Sequence, residues 1–301
     1  DSRLDEIVHH VIQHTRLKAA STSCDLLAKD LLLLLVGVRN AVLVDYLPPQ
    51  LVPGKLQSCV QNLSKSCPEF NVLQTCCLSE GNFLVVNLVP FIKRLQQSLS
   101  VNLQDIELVD CSSRLSDPTH LCEEIKHALI PAFRMVCSSI AHVNQPDTSN
   151  SRTAAKGMLN LGGDTCGAPL PTLAGWVLEY PIVYYVDDAL SGNCLPEQEL
   201  LLFRFELPGA DPSTSSSNST ARSPELTVER NARESSASKH STLANLVARH
   251  HVLSFTVPEE LYGEAGKRAV EGLKARIAQR VAGAAEMNRA GGALDANGDD
   301  E

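Results

Sequence analysis

Three runs of β-forming residues end in acid: Val44-Asp45, Val109-Asp110 and Val186-Asp187-Asp188. In open α/β sheets, ligands bind beyond the carboxyl ends of the strands. Carboxylates gathered there suit a hard divalent cation such as Mg2+, which takes oxygen ligands. Asp45, Asp110 and Asp187 are therefore candidate metal ligands and candidate catalytic acids for hydrolysis or phosphoryl transfer, with Tyr184 or His251 as an auxiliary group. That chemistry needs the three strands parallel and close together. Aspartate just past a strand also closes turns and caps helices, so these residues have a purely structural reading as well.

A second candidate is Cys194 in Ser191-Gly192-Asn193-Cys194. A thiolate in a turn near a helix start can have a lowered pKa and act as a nucleophile, with a distant base such as His251. In the alternative reading Gly192-Asn193 supplies the positive φ angles of a strand-connecting turn and Cys194 packs beneath it. His10 and His14 are spaced i, i+4 beside His9, which puts two imidazoles on one helical face. The glutamate that follows the first histidine in the zinc-protease motif is missing, and the histidines read as an exposed face. Leu161-Gly162-Gly163-Asp164-Thr165 has the glycines of a phosphate loop without its lysine, and reads as a turn.

The elements that must position these groups follow from periodicity. Leu4 to His14 and Cys24 to Val36 read as helices, the first with an apolar stripe and the second apolar almost all round. AVLVDYL, from Ala41, is a strand; Lys55 to Ser64 is a short helix; Asn71–Leu78 and Phe83–Leu88 form a hairpin around Ser79-Glu80-Gly81-Asn82. A helix starts at Pro90, a strand runs from Asp105 to Cys111, and Asp117-Pro118 is the expected N-cap and first position of a long amphipathic helix. A short helix from Thr172 leads to strands at Ile182–Val186, Leu200–Leu207 and Val252–Val257, and Pro258-Glu259-Glu260 is expected to open the last helix.

This pattern predicts an α/β fold, a mixed β-sheet with helices on both faces, in a single extended domain. The halves are 1–143 and 172–287, joined by a loop-rich connection at 144–171, with both halves sharing one sheet. Residues 208–240, rich in Ser, Thr, Asn and Arg, are too polar to bury a core and read as a disordered insert, with 288–301 a disordered acidic tail. Closure entropy rises only ~0.6 kcal/mol per doubling of loop length, so the strands flanking the insert can still be neighbours.

Composition narrows the class of partner. A formal charge of −9 and a pI near 5.5 argue against nucleic acid, whose phosphates require clustered Lys and Arg. Asp30–Val38 is the most apolar run and falls short of the ~20 residues that cross a membrane. The chain has 10 cysteines and no Cys-x-x-Cys pair, which indicates reduced thiols and an intracellular setting, cytoplasmic or nuclear. Cys59, Cys76, Cys77, Cys122 and Cys137 lie in apolar-periodic segments and read as packing residues.

AGWVLEYPIVYYVDD, GNCL, LLLFRFEL and HHVLSFTVPEEL together resemble an uncharacterised eukaryotic family, that of the human chromosome 1 open reading frame 74 protein, mainly over residues 172–282. The matching positions are Leu178, Tyr180, Pro181, Val183, Tyr184, Asn193, Cys194, Leu195, Ser254, Phe255, Val257 and Pro258. The order Ser254-Phe255-Thr256-Val257-Pro258 departs slightly from the family pattern. The resemblance implies a family without an assigned activity and brings no catalytic residues with it. The leading expectation is an interaction or scaffold protein, with the 208–240 insert as the segment that meets a protein partner. The metal-dependent enzyme and the thiol enzyme stand as alternatives.

Overall fold

The computed structural model describes residues 9, 22–47, 54–79, 81–143, 158–161, 167–187, 193–195, 200–207, 225–230 and 250–295. The chain divides into two compact units: residues 1–110 with 120–190, and residues 111–119 with 191–301.

In the first unit, α1 (Thr22–Leu35), β1 (Ala41–Leu43) and α2 (Gly54–Ser66) precede a 3₁₀ turn, after which come β2 (Leu73–Ser79), β3 (Asn82–Asn87) and α3 (Leu88–Ser100). Then follow β4 (Glu107–Asp110), β5 (Thr119–His120), α4 (Glu123–Val143), β6 (Leu159–Asn160), α5 (Leu170–Val177) and β7 (Ile182–Tyr185). The strands form one sheet of order β1-β3-β2-β6 and another of order β5-β4-β7. Alternation divides the first sheet between two cores. Val42, Leu73, Phe83 and Val85 pack with Leu27, Leu31, Leu56 and Leu63 of α1 and α2. Ala41, Cys76, Leu84 and Val86 pack with Phe91 and Leu95 of α3, Phe133 of α4 and Trp176 of α5. A sheet buried on both faces explains why its strands read as nearly unbroken apolar runs.

The α/β class and the helices on both faces are thus present. The hairpin is also as expected, with Leu73 opposite Asn87 and Cys76 opposite Leu84. The single continuous sheet is not: the described strands fall into three sheets. β4 lies between β5 and β7, and β8 (Leu200–Leu207) lies between β10 (His250–Pro258) and β9 (Glu225–Arg230), so each of these central strands completes its hydrogen bonding within its own three-stranded sheet.

In the second unit, β10-β8-β9 is an antiparallel sheet, and the strands flanking the insert are direct neighbours, Phe255 opposite Phe203. Phe203 and Phe255 stack with centroids 5.2 Å apart. α6 (Glu264–Asp295) buries Val270, Leu273 and Ile277.

Four boundaries differ from the sequence reading. Asp117-Pro118 does not open a helix, because Leu121 N donates to Leu108 O at 2.9 Å and holds this stretch extended beside β4; α4 begins at Glu123. Within the 208–240 insert, Glu225–Arg230 is a strand, since β8 offers it a hydrogen-bonding edge. Leu159–Asn160 pairs parallel with β2 inside the expected loop. Pro258-Glu259-Glu260 leads only into a 3₁₀ turn, and α6 starts at Glu264 and continues to Asp295, into the segment read as a tail. The helix expected over Leu4–His14, the glycine turn at 162–165, and the rest of the insert and tail lie outside the described residues.

Candidate functional site

β4 and β7 run parallel, with Glu107 opposite Ile182, Val109 opposite Tyr184 and Asp110 opposite Tyr185. Asp110 is buried at the carboxyl end of β4, and half-buried Asp187 lies two residues past its strand partner's end. Two of the three predicted carboxylates therefore share the carboxyl edge of one parallel pair. Tyr184 is tied to α5, whose Thr172 Oγ1 donates to its carbonyl at 2.9 Å. Asp45 stands elsewhere, exposed beyond β1, which pairs antiparallel with β3 in the other sheet. Among the described residues no three His, Cys, Asp or Glu side chains are grouped to hold a metal ion.

Cys194 belongs to the second unit and is 9% exposed. Its amide donates to Cys111 O at 3.0 Å, Asn193 bridges Ser112, and Asn193 Oδ1 accepts from Leu195 N at 3.0 Å. Asn193 thus closes a self-bonded turn, while Gly192, the other residue of the turn expected there, lies outside the described residues. His251 sits in β10, opposite Glu206 of β8. His9 is exposed, while His10, His14 and Asp188 lie outside the described residues. Burial pushes the Cys59 thiol up to about 12 and the Cys137 thiol up to about 11, and raises Cys76 further, so all three stay protonated at neutral pH. Cys122, read from the sequence as a packing residue, is exposed.

The sequence reading missed a buried ionic chain in the first unit. Arg94 of α3 is 8% exposed and lies between two carboxylates: it is ion-paired to Asp105, and its Nε is 3.4 Å from Glu179 Oε2. Glu179 Oε1 accepts from Asn40 Nδ2 at 2.6 Å, Asp105 Oδ1 accepts from Ser98 Oγ at 2.8 Å, and Ser98 Oγ in turn accepts from Trp176 Nε1 at 3.3 Å. A buried charge is tolerable only when it is paired; here each charge has an ion-pair partner, while Arg94 Nε and Asp105 Oδ2 make no hydrogen bond of good geometry. Beside it on the chain, Arg39 Nη1 stands 3.7 Å from Asp30 Oδ1, and Tyr46 OH donates to Asp30 Oδ2 at 2.7 Å. Burial raises the Asp30 carboxyl, with Arg39 acting against it.

Glu179 is placed by the way α5 ends. Tyr180 N donates to Gly175 O at 2.9 Å and Glu179 N to Trp176 O at 3.2 Å, the paired bonds of a Schellman motif. The residue after the helix cap in that motif is left-handed and usually glycine; here it is Glu179, at φ 61°. Glycine stands instead at 175, where a Cβ would meet Val183 Cγ1 at 3.1 Å, so α5 lies close on β7. The left-handed glutamate places a carboxylate that joins α3 and the loop before β1 to the α5–β7 connection. The signal was legible in part. Phe91, Arg94, Leu95, Ser98 and Leu99 share one helical stripe, so a charge and a hydroxyl fall on an apolar face. Nothing local marks Glu179 or Asn40 as their partners.

These features define an α/β protein whose first unit carries an internal ionic lock and a pair of carboxylates at the end of parallel strands. The chain belongs to the family described as Domain of unknown function (DUF4504), which matches residues 9–219 and so covers the described elements from α1 to β8. No curated protein and no solved structure matches it. Among the described residues no helix is long and apolar enough to cross a membrane.

Proposed function

We propose that the chain is an interaction or scaffold protein, working in a reducing compartment, that engages a protein partner through the 208–240 insert. The observation that carries this reading is β9: part of a long polar insert forms the edge strand of the second unit's sheet, with Val228 45% exposed. Edge strands with apolar side chains are sites of strand addition by other chains. The nine described cysteines form no disulfide, in keeping with a reducing compartment. The likeness over 172–282 to the family of the human chromosome 1 open reading frame 74 protein supports the same reading, because it brings no catalytic role with it. Replacing Val228 by lysine is expected to remove the partners cross-linked to the full chain while its melting temperature stays within about 2 °C, since exposed substitutions cost little. An unchanged set of partners would overturn the proposal.

A second reading rests on Asp110 and Asp187, at the edge where α/β sheets bind ligands. In this reading they hold Mg2+ for hydrolytic or phosphoryl-transfer chemistry. Millimolar Mg2+ or Mn2+ should then raise the melting temperature, because ligand at 100 times its Kd stabilises by about 2.7 kcal/mol, and Asp110→Asn should abolish the shift. A chain that melts identically with and without metal removes this reading.

A further inference from the structure

We infer that Cys111 and Cys194 form a thiol–disulfide exchange site in the second unit, a dithiol that low-molecular-weight disulfides such as oxidised glutathione convert to an internal bridge. Ser112 and Asn193 are an antiparallel bridge pair. Stepping back one residue from Ser112 and on one from Asn193 sets Cys111 opposite Cys194, and Cys194 N donates to Cys111 O at 3.0 Å across that position. The two thiols are far apart in sequence, and both segments belong to the same compact unit.

Directly opposed residues of antiparallel segments project to the same face, with Cα atoms about 5.5 Å apart at a hydrogen-bonded position and Cβ atoms about 4.5–5.5 Å apart. A disulfide accepts Cα separations of about 4.4–6.8 Å and Cβ separations of about 3.5–4.5 Å. The backbone is therefore already within range, and the Cβ atoms need to approach by no more than about 1 Å. A bond closed under that demand is readily reduced again, which makes it a labile bridge rather than a structural one. In a reducing compartment, bridges of this kind are transient and redox-sensing.

Burial sets the order of attack. Cys194 is 9% exposed and Cys111 0%, so the Cys194 thiolate meets the small disulfide first. It attacks one sulfur, the S–S bond of the reagent breaks, and one small thiolate leaves and takes up the proton that Cys194 has lost. Cys111 then gives up its proton, attacks Cys194 Sγ in the mixed disulfide and expels the second small thiolate, which takes that proton. Two protein thiols are oxidised by two electrons, and one small disulfide is reduced to two thiols. The product ties the 111–119 segment to the 193–195 stretch by a covalent bond. Two other cysteine pairs among the described residues are less suited. Cys76 and Cys77 are adjacent on β2, where alternation turns them to opposite faces. Cys24 of α1 and Cys59 of α2 are both 0% exposed, out of reach of a reagent.

Equilibrating the full chain with millimolar oxidised glutathione, blocking the remaining thiols and mapping linked peptides by mass spectrometry tests the site. The expected product is a Cys111–Cys194 cross-link, two hydrogens lighter than the reduced chain. Its melting temperature should rise by about 5 °C or more and return on adding dithiothreitol, since a bridge closing a long loop restricts the unfolded chain. Cys111→Ser should leave Cys194 held as a stable mixed disulfide with glutathione, and Cys194→Ser should form neither product. Cys122→Ser and Cys166→Ser should leave the cross-link unchanged. If Cys111→Ser fails to fold, the wild-type peptide map and Cys194→Ser decide. Glutathione attached to Cys194 in the wild type with no internal bridge, or a map lacking the Cys111–Cys194 link, would overturn the proposal.

Discussion

Replacing Arg94 by alanine is expected to lower the stability of the first unit by about 3–5 kcal/mol, the range for breaking a buried ion pair by removing one partner. The loss is large because the guanidinium serves two carboxylates. Without it, Asp105 and Glu179, whose side chains are 22% and 6% exposed, face each other's charge without a cation. Glu179→Gly should cost less. It breaks the same pair and strands the Asn40 amide, but it also relieves a left-handed backbone worth about 1–2 kcal/mol in an L-residue. Urea denaturation followed by circular dichroism gives both values. Arg94→Ala within about 1 kcal/mol of the wild type would show that the ionic chain contributes nothing to the fold.

Trp176→Ala should cost a comparable ~3–5 kcal/mol, through lost burial and the cavity left behind. Trp176 is 2% exposed, lies flat on Phe133 with centroids 4.1 Å apart and planes 6° apart, and anchors α5 in the core between the sheets. Trp176→Phe keeps the stack and loses the hydrogen bond to Ser98, so its effect should be the smaller. The chain has a single tryptophan, so wild-type fluorescence reports on the first unit alone, and the alanine variant is followed by circular dichroism. Because Ser98 links Trp176 to Asp105, the Trp176 and Arg94 substitutions share a network and should not add. Strict additivity would mean that the aromatic stack and the ionic chain act independently.

Two corrections to the sequence reading share one principle, that an open strand edge recruits a segment able to pair with it. The run Leu200–Leu207 was recognisable as a strand from its β-forming residues, yet its neighbours were not, and β9 emerged from a segment whose composition looked incapable of order. Glu225–Arg230 is polar enough to stay in water and becomes a strand because β8 presents an unfilled row of donors and acceptors. The Asp117-Pro118 signature failed for a related reason: β4 had an open side, and pairing with it outweighed the local preference for a helix start.

From the amino acids alone came the α/β class, the positions of most helices and strands, the hairpin, and the placement of acids at strand ends. Each of these depends on neighbours within a few residues, where periodicity and turn chemistry act. The tertiary structure decided which strands meet, and therefore that Asp110 and Asp187 share an edge while Asp45 does not. It alone joined Asn40, Arg94, Asp105 and Glu179, and set Cys111 opposite Cys194, because charge pairing and strand register are contacts between segments distant in the chain and leave no local trace.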